Sequence, residues 1–247
     1  MKLTTKILIT MLLLMTSGLF ASNMLLKKVY EETDKNDTYW TYGKILEQPF
    51  KHLKIEGGNV SNIAFEQSSI ASVKVFKNWH GFDEHSVKAH VANDTLYISF
   101  PNTYHDLYEK DWLKWNVPVR IFSPELLSIT GSHTNFEMYK MKQKNFSVNI
   151  SGKSKFEVES MDTNFDSLHI IQSDSSAVAF EMSPDYKKTE SFLIKYVNAK
   201  IEGYSILDIG HAQVDSLKLT VADSSAVLLS GGTMKKNQLY NFTKTRQ

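Results

Sequence analysis

Residues 168–182 read LHIIQSDSSAVAFEM and residues 217–231 read LKLTVADSSAVLLSG. Each is an alternating apolar run, a corner of small polar residues, and a second apolar run, and the pentapeptide DSSAV occurs at 174–178 and again at 223–227. Alternation at period two is the mark of a strand with one face buried. The same unit can be followed outward through LLSITGSHTNFEM from 126, FSVNISGKSKFEVES from 146 and FLIKYVNAKIEGY from 192. The first apolar residue after each corner falls at Phe136, Phe156, Val178 and Ile201, steps of 20, 22 and 23 residues, followed by two shorter steps through Val214 to Val227. A strand-rich chain with a period near twenty reads as a solenoid of stacked coils. A parallel β-helix accounts best for corners of matching composition. Equivalent turns in successive coils lie roughly 4.8 Å apart, where bulky side chains collide and Ser, Gly, Ala, Asp and Asn fit. An antiparallel sandwich is the rival, although it has no need of matching corners. The corner residues carrying this reading are Ser151, Gly152, Ser154, Asp174, Ser175, Ser176, Asp223, Ser224 and Ser225.

Upstream of residue 126 shorter alternating segments include Leu53 and Ile55, Val73 and Val75, Leu96, Ile98 and Phe100, and Val117, Val119 and Ile121. At the amino terminus, Lys2 and Lys6 precede an uncharged run from Ile7 to Leu26, followed by Lys27 and Lys28. Twenty helical residues at about 1.5 Å each span roughly 30 Å, the thickness of a bilayer's hydrocarbon core. Residues 1–28 therefore read as an export signal or an uncleaved anchor. The cleavage sites after Ala21 and Ser22 are poor, because Leu19 or Phe20 stands where a small residue is wanted. Residues 29–45 read as a polar tether, 46–235 as the β-helical domain and 236–247 as a polar tail. Export across a membrane is expected, with the chain held by residues 1–28 or released after cleavage.

At 247 residues and 42% hydrophobic, the chain has material for a large core. With 28 basic against 27 acidic residues no net field attracts nucleic acid, so no nucleic-acid partner is expected. Absence of cysteine excludes disulfides, thiol chemistry and Cys-ligated metals.

The segment FKHLKIEGGN (50–59), the strand DTLYISF (94–100), the pair VPVRIFSPELLSITGS (117–132) and the repeated small corners resemble the GIN-domain family, described as candidate heads of auto-transporter adhesins and otherwise of unknown function. The resemblance covers about residues 46–235. The family's usual SGAS corner is replaced here by Thr130-Gly131-Ser132-His133 and later by DSSA. The resemblance implies an all-β domain, a right-handed parallel β-helix outside the cytoplasm, with an adhesin-like role; it also implies the bacterial cell envelope as the address, anchored to the inner membrane with the domain in the periplasm, or else secreted to the periplasm or surface.

Catalytic constellations are scarce. Sugar cleavage needs two carboxyl groups about 5–10 Å apart. Asp174 and Asp223 hold equivalent corner positions, but two or more coils separate them, and solvated turn aspartates are the simpler reading. His80, His85 and His90, with Asp83 and Glu84, are the densest set of metal-ligand types. Their spacing of five puts neighbouring histidines on opposite faces of a strand, so an exposed hairpin connection is the simpler reading. Gly231-Gly232-Thr233-Met234-Lys235-Lys236 lacks the leading glycine of a P-loop. No cofactor is expected. The main departure from the ladder is PNTYHDLYEKDWLKWNVP (101–118), whose Tyr104, Tyr108, Trp112 and Trp115 read as a partner-binding platform for a glycan or protein, or as a cap on an open end of the solenoid. Together these features lead to a non-enzymatic, envelope-associated β-helix that binds a surface glycan or protein. A β-helical lyase or hydrolase, or a structural protein that associates into homo-oligomers through open ends, is the alternative.

Overall fold

The structure is a computed structural model that describes residues 3–32, 34, 36–59, 61–79, 87–100, 117–158, 164–180 and 192–237. Two compact units divide the chain between Tyr42 and Gly43. The first holds α1 (Leu3–Glu32), all of whose residues are exposed. It is long and apolar enough to cross a membrane, a test that an export signal also passes.

The second unit contains two large sheets. The nine-stranded sheet has the order β1 (Tyr42–Leu46), β4 (Ser72–Phe76), β7 (Val119–Ser123), β3 (Asn62–Gln67), β9 (Asn135–Lys140), β11 (Lys155–Val158), β13 (Ala177–Phe180), β15 (Ile206–Ile209), β17 (Ala226–Leu229). The eight-stranded sheet runs β16 (Ala212–Val221), β14 (Phe192–Ile201), β12 (Asn164–Gln172), β10 (Lys142–Ser151), β8 (Ser128–Ser132), β2 (His52–Glu56), β6 (Thr95–Ser99), β5 (Lys88–Ala92). Most pairings are parallel, but β4 meets β7 and β5 meets β6 antiparallel. The β5–β6 hairpin turns through Asn93 and Asp94, both at positive φ, as a tight two-residue turn requires.

This arrangement corrects the expected all-β, right-handed parallel β-helix. The molecule is a mixed helix-and-strand protein with two large mixed sheets, and the sheets do not close into a solenoid. From β8 onward each repeat lays one strand in the eight-stranded sheet, turns a corner, and lays the next in the nine-stranded sheet. Matched corners report that alternation and the parallel register, but not closure. Before residue 126 the repeat fails: β2 inserts between β8 and β6, β3 between β7 and β9, β4 runs antiparallel to β7, and β5, at the sheet edge, runs antiparallel to β6. The antiparallel sandwich fails as well, since the central pairings are parallel.

Inward residues of both sheets form one core. Phe136 stacks on Phe156 across neighbouring strands at 5.8 Å, and Phe146 stacks on Phe165 at 5.2 Å. Phe146 and Phe156 join the two sheets at 5.9 Å. All four rings are buried.

The corners answer why DSSAV is written twice. Ser61, Thr134, Ser154, Ser176, Ser205 and Ser225 immediately precede β3, β9, β11, β13, β15 and β17, and the register aligns them in a single column. The first five are buried. The Thr134 N–H donates to Ser154 Oγ at 3.1 Å, and Ser154 Oγ donates to Ser151 O at 2.6 Å. Ser176 and Ser205 hydroxyls lie 3.3 Å apart, and Ser205 also donates to Glu202 O at 2.8 Å. The five serine hydroxyls thus donate to backbone carbonyls in a gap one strand wide, a place for small donors and acceptors alone, while the Thr134 hydroxyl makes no hydrogen bond.

The same column shows that the fourth corner is Glu202–Ser205, followed by Leu207, rather than a corner before Ile201. Ile201 ends β14, and Val214 lies inside β16. Nor are the two pentapeptides equal in backbone. Asp174 has φ 63, while Asp223 is not among the described residues at positive φ. The equivalent left-handed positions are His133, Gly152 and Gly203.

A short helix, α2 (Gly231–Lys236), finishes the described chain. Ser230 caps it by accepting from the Thr233 N–H at 3.2 Å. Buried Thr233 accepts from the Val214 N–H at 3.3 Å and donates to Ala212 O at 3.1 Å. Asn237 accepts from the Leu217 N–H at 2.9 Å and donates to Val214 O at 3.2 Å. Side chains here take the place of the next strand along the first half of β16, blunting an edge that would otherwise offer its backbone to another chain.

Candidate functional site

The two sheets differ on their outward faces. In the nine-stranded sheet the outward positions Ser72, Phe122, Ala64, Asn135, Glu137, Glu157 and Ala179 are buried, Lys74, Arg120, Lys155 and Asp208 are half-buried, and Ile206, Ala226 and Leu228 at the far end are exposed. Glu137 and Glu157, 5% and 9% exposed, are direct register partners on β9 and β11. Parallel neighbours lie about 4.8 Å apart, so this is a true carboxylate pair on one face. Tyr139 Oη donates to Glu137 at 2.7 Å, and Lys155 forms an ion pair with Glu157. These partners balance two like charges that burial alone would not tolerate. Inaccessibility suits the group to holding the sheet surface together, whereas sugar cleavage requires carboxyl groups that a substrate can reach.

The eight-stranded sheet is open. Two columns of outward side chains cross all eight strands in register. The first runs Lys218, Asn198, His169, Ser147, Ser128, His52, Thr95, Ala92. The second runs Thr220, Lys200, Ile171, Asn149, Thr130, Lys54, Tyr97, His90. Every one of these residues is exposed or half-buried. Seven strand spacings make each column about 34 Å long. His90 stacks on Tyr97 at 5.0 Å, Lys54 lies 6.0 Å over the same ring, and His52 Nδ1 is 2.7 Å from Ser128 Oγ.

The aromatic platform Tyr104, Tyr108, Trp112 and Trp115 lies outside the described residues, as do His80 and His85. His90 is placed on the open face in β5. Among the described residues no group of three or more His, Asp or Glu is placed to hold a metal ion. Asp174 and Asp223 are not brought together, because the Glu202–Ser205 corner stands between them. Asp174 instead accepts the Gly152 N–H at 3.2 Å. Ser224 and Ser225 both donate to Gly203 O, at 2.6 and 2.8 Å. Several of the corner residues named from sequence thus bond to their own or a neighbouring corner. Sequence reading missed Glu137 and Glu157, whose alternation in NFEM and KFEV marks them as outward but not as covered. It also missed the columns, which exist only once register is known.

No family model matches the chain, and no curated protein matches it. Solved structures that resemble it include a candidate lipid-binding protein from Parabacteroides distasonis ATCC 8503, with 13% identity, a TM-score of 0.41, and coverage of 77% of this chain and 94% of that one. A candidate adhesin from Bacteroides fragilis NCTC 9343 has 14% identity and a TM-score of 0.41, covering 75% and 94%. A candidate adhesin from Parabacteroides merdae ATCC 43184 has 16% identity and a TM-score of 0.34, covering 75% and 94%. Likeness at this level says nothing of this chain's function.

Proposed function

We propose that this chain is a non-enzymatic protein of the bacterial cell envelope, held at the inner membrane through α1 with its sheets in the periplasm, and that it binds an envelope glycan or protein. The observation carrying the reading is the open face of the eight-stranded sheet, where two in-register columns of hydrogen-bonding and cationic side chains face solvent across every strand. Such side chains offer many weak, additive polar contacts to a partner and no activated nucleophile. The export-type amino terminus and the resemblance of residues 46–235 to GIN domains, with their adhesin description, support the same reading.

Photocrosslinking amino acids at Thr130 and Asn149, in the middle of the face, test it in native envelopes. Capture of a discrete glycan or protein at these positions, and not from a probe at Leu228 on the other sheet, is the expected result. Absence of capture from either central position would sink the proposal. A hydrolytic reading would fall on the Glu137–Glu157 pair, and a screen of envelope polysaccharides for new reducing ends, lost in Glu137→Gln and Glu157→Gln, would establish it instead.

A further inference from the structure

The two columns that cross the eight-stranded sheet contain three lysines, three histidines and no carboxylate: Lys218, His169 and His52 in one, Lys200, Lys54 and His90 in the other. A chain with nearly equal numbers of acidic and basic residues has no reason of composition to leave sixteen aligned outward positions free of acid. The carboxylates nearest to the columns stand at their rims. Glu56 pairs with Lys54 at 3.1 Å and Glu202 with Lys200 at 2.8 Å. Both pairs are solvent-exposed, a class worth at most about 1 kcal/mol, so a polyanion can exchange into them. Lys218, at the α2-side edge, makes no ion pair among the described residues.

Between the cations lie short hydrogen-bonding groups: Ser147, Ser128, Thr130, Asn149, Asn198 and Thr95. Apolar side chains are few. Ile171 is half-buried, and Ala92 is small. A membrane-docking surface needs apolar groups to insert among lipid tails, and a protein interface needs an apolar or aromatic centre. This face has neither at its middle. Three lysines, on β16, β14 and β2, with hydroxyls, amides and imidazoles between them on a face about 34 Å long, instead match a linear polymer that carries anionic groups on its sugar rings.

We infer that the open face of the eight-stranded sheet binds an acidic polysaccharide, laid across the strands along the two columns. This rests on the binding role proposed above and supplies the chemical class of the partner. Lys54, Lys200 and Lys218 make charge-assisted contacts to its anionic groups, and the serines, threonines and asparagines take its hydroxyls.

The test uses the full chain reconstituted in neutral phosphatidylcholine nanodiscs, with polygalacturonate as the anionic probe, dextran as the neutral one, and phosphatidylglycerol vesicles as a third surface. Retention on immobilised polygalacturonate, but not on dextran, is expected, falling about tenfold or more in the Lys54→Gln, Lys200→Gln, Lys218→Gln variant and on raising salt from 0.05 to 0.5 M, settings of roughly 14 and 4 Å screening length. The single change Lys218→Glu, at an exposed edge position without an ion pair, checks the result in a variant whose fold is least disturbed. Equal retention on dextran, unchanged binding by both variants, or preference for the vesicles over the polymer overturns the inference. If polygalacturonate is not retained while Thr130 still crosslinks to an envelope component, the acidic-polysaccharide class falls and the binding role stands. If both fail, both proposals fall.

Discussion

At the scale of single residues the corner column decides what this chain tolerates. Gly203 has φ 68, and a Cβ built there would lie 2.6–2.9 Å from the backbone of Asp174. Gly203→Ala is therefore expected to cost at least about 2 kcal/mol, from left-handed strain and from backbone that cannot step aside, measured by urea unfolding of the full chain in detergent. Ser205→Ala should cost about 1–2 kcal/mol for the buried hydroxyl, and Ser205→Val clearly more, because the added methyl groups press on corners one strand away. Equal costs for these two changes would mean that the corner is not size-limited. The repeated pentapeptide gives a sharper test. Asp174→Gly relieves a left-handed non-glycine residue and loses one bond to Gly152, so it is expected to be near neutral. Asp223→Gly relieves nothing and adds backbone freedom to the unfolded chain, and is expected to cost about 0.5–1 kcal/mol.

At the scale of elements, α2 protects β16. Replacing both Thr233 by Val and Asn237 by Ala strips partners from Val214 N, Leu217 N, Ala212 O and Val214 O. The double change is expected to lower stability by about 2–3 kcal/mol and to produce concentration-dependent association in analytical ultracentrifugation, as the uncovered edge finds other chains. A monodisperse variant would show that the helix does not guard the edge. Elements are also where the limits of sequence reading can be located. Phe136, Phe156, Val178 and Val227 mark true corners, since small residues precede each of them. The step at Ile201 is misplaced because the corner Glu202–Ser205 puts Gly203 and Tyr204 where DSSAV has Asp and Ser, so the small-residue signature fades. Openness of the two sheets could not be read at all. It follows from β2 and β3 inserting among later strands and from β4 and β5 running antiparallel, long-range pairings that leave no trace in local alternation. The face columns were half legible: Thr130, Asn149 and Lys200 alternate outward, but their alignment depends on register.

For the whole molecule, α1 is long and apolar enough to cross a membrane, and the second unit presents the open sheet face. The full chain is expected to stay with the membrane fraction after a carbonate wash and to be released when residues 1–32 are removed; release of the intact full chain would show that the helix does not anchor it. Because each repeat from β8 onward adds one strand to each sheet, and α2 closes the edge of β16 with its own side chains, the length of the open face behaves as a ruler. A duplicated repeat inserted ahead of β16 would lengthen the face by about 4.8 Å, leaving the terminator and the hairpin edge unchanged. Gene duplication could in this way tune how many rungs of a polymer the surface spans without rebuilding either end.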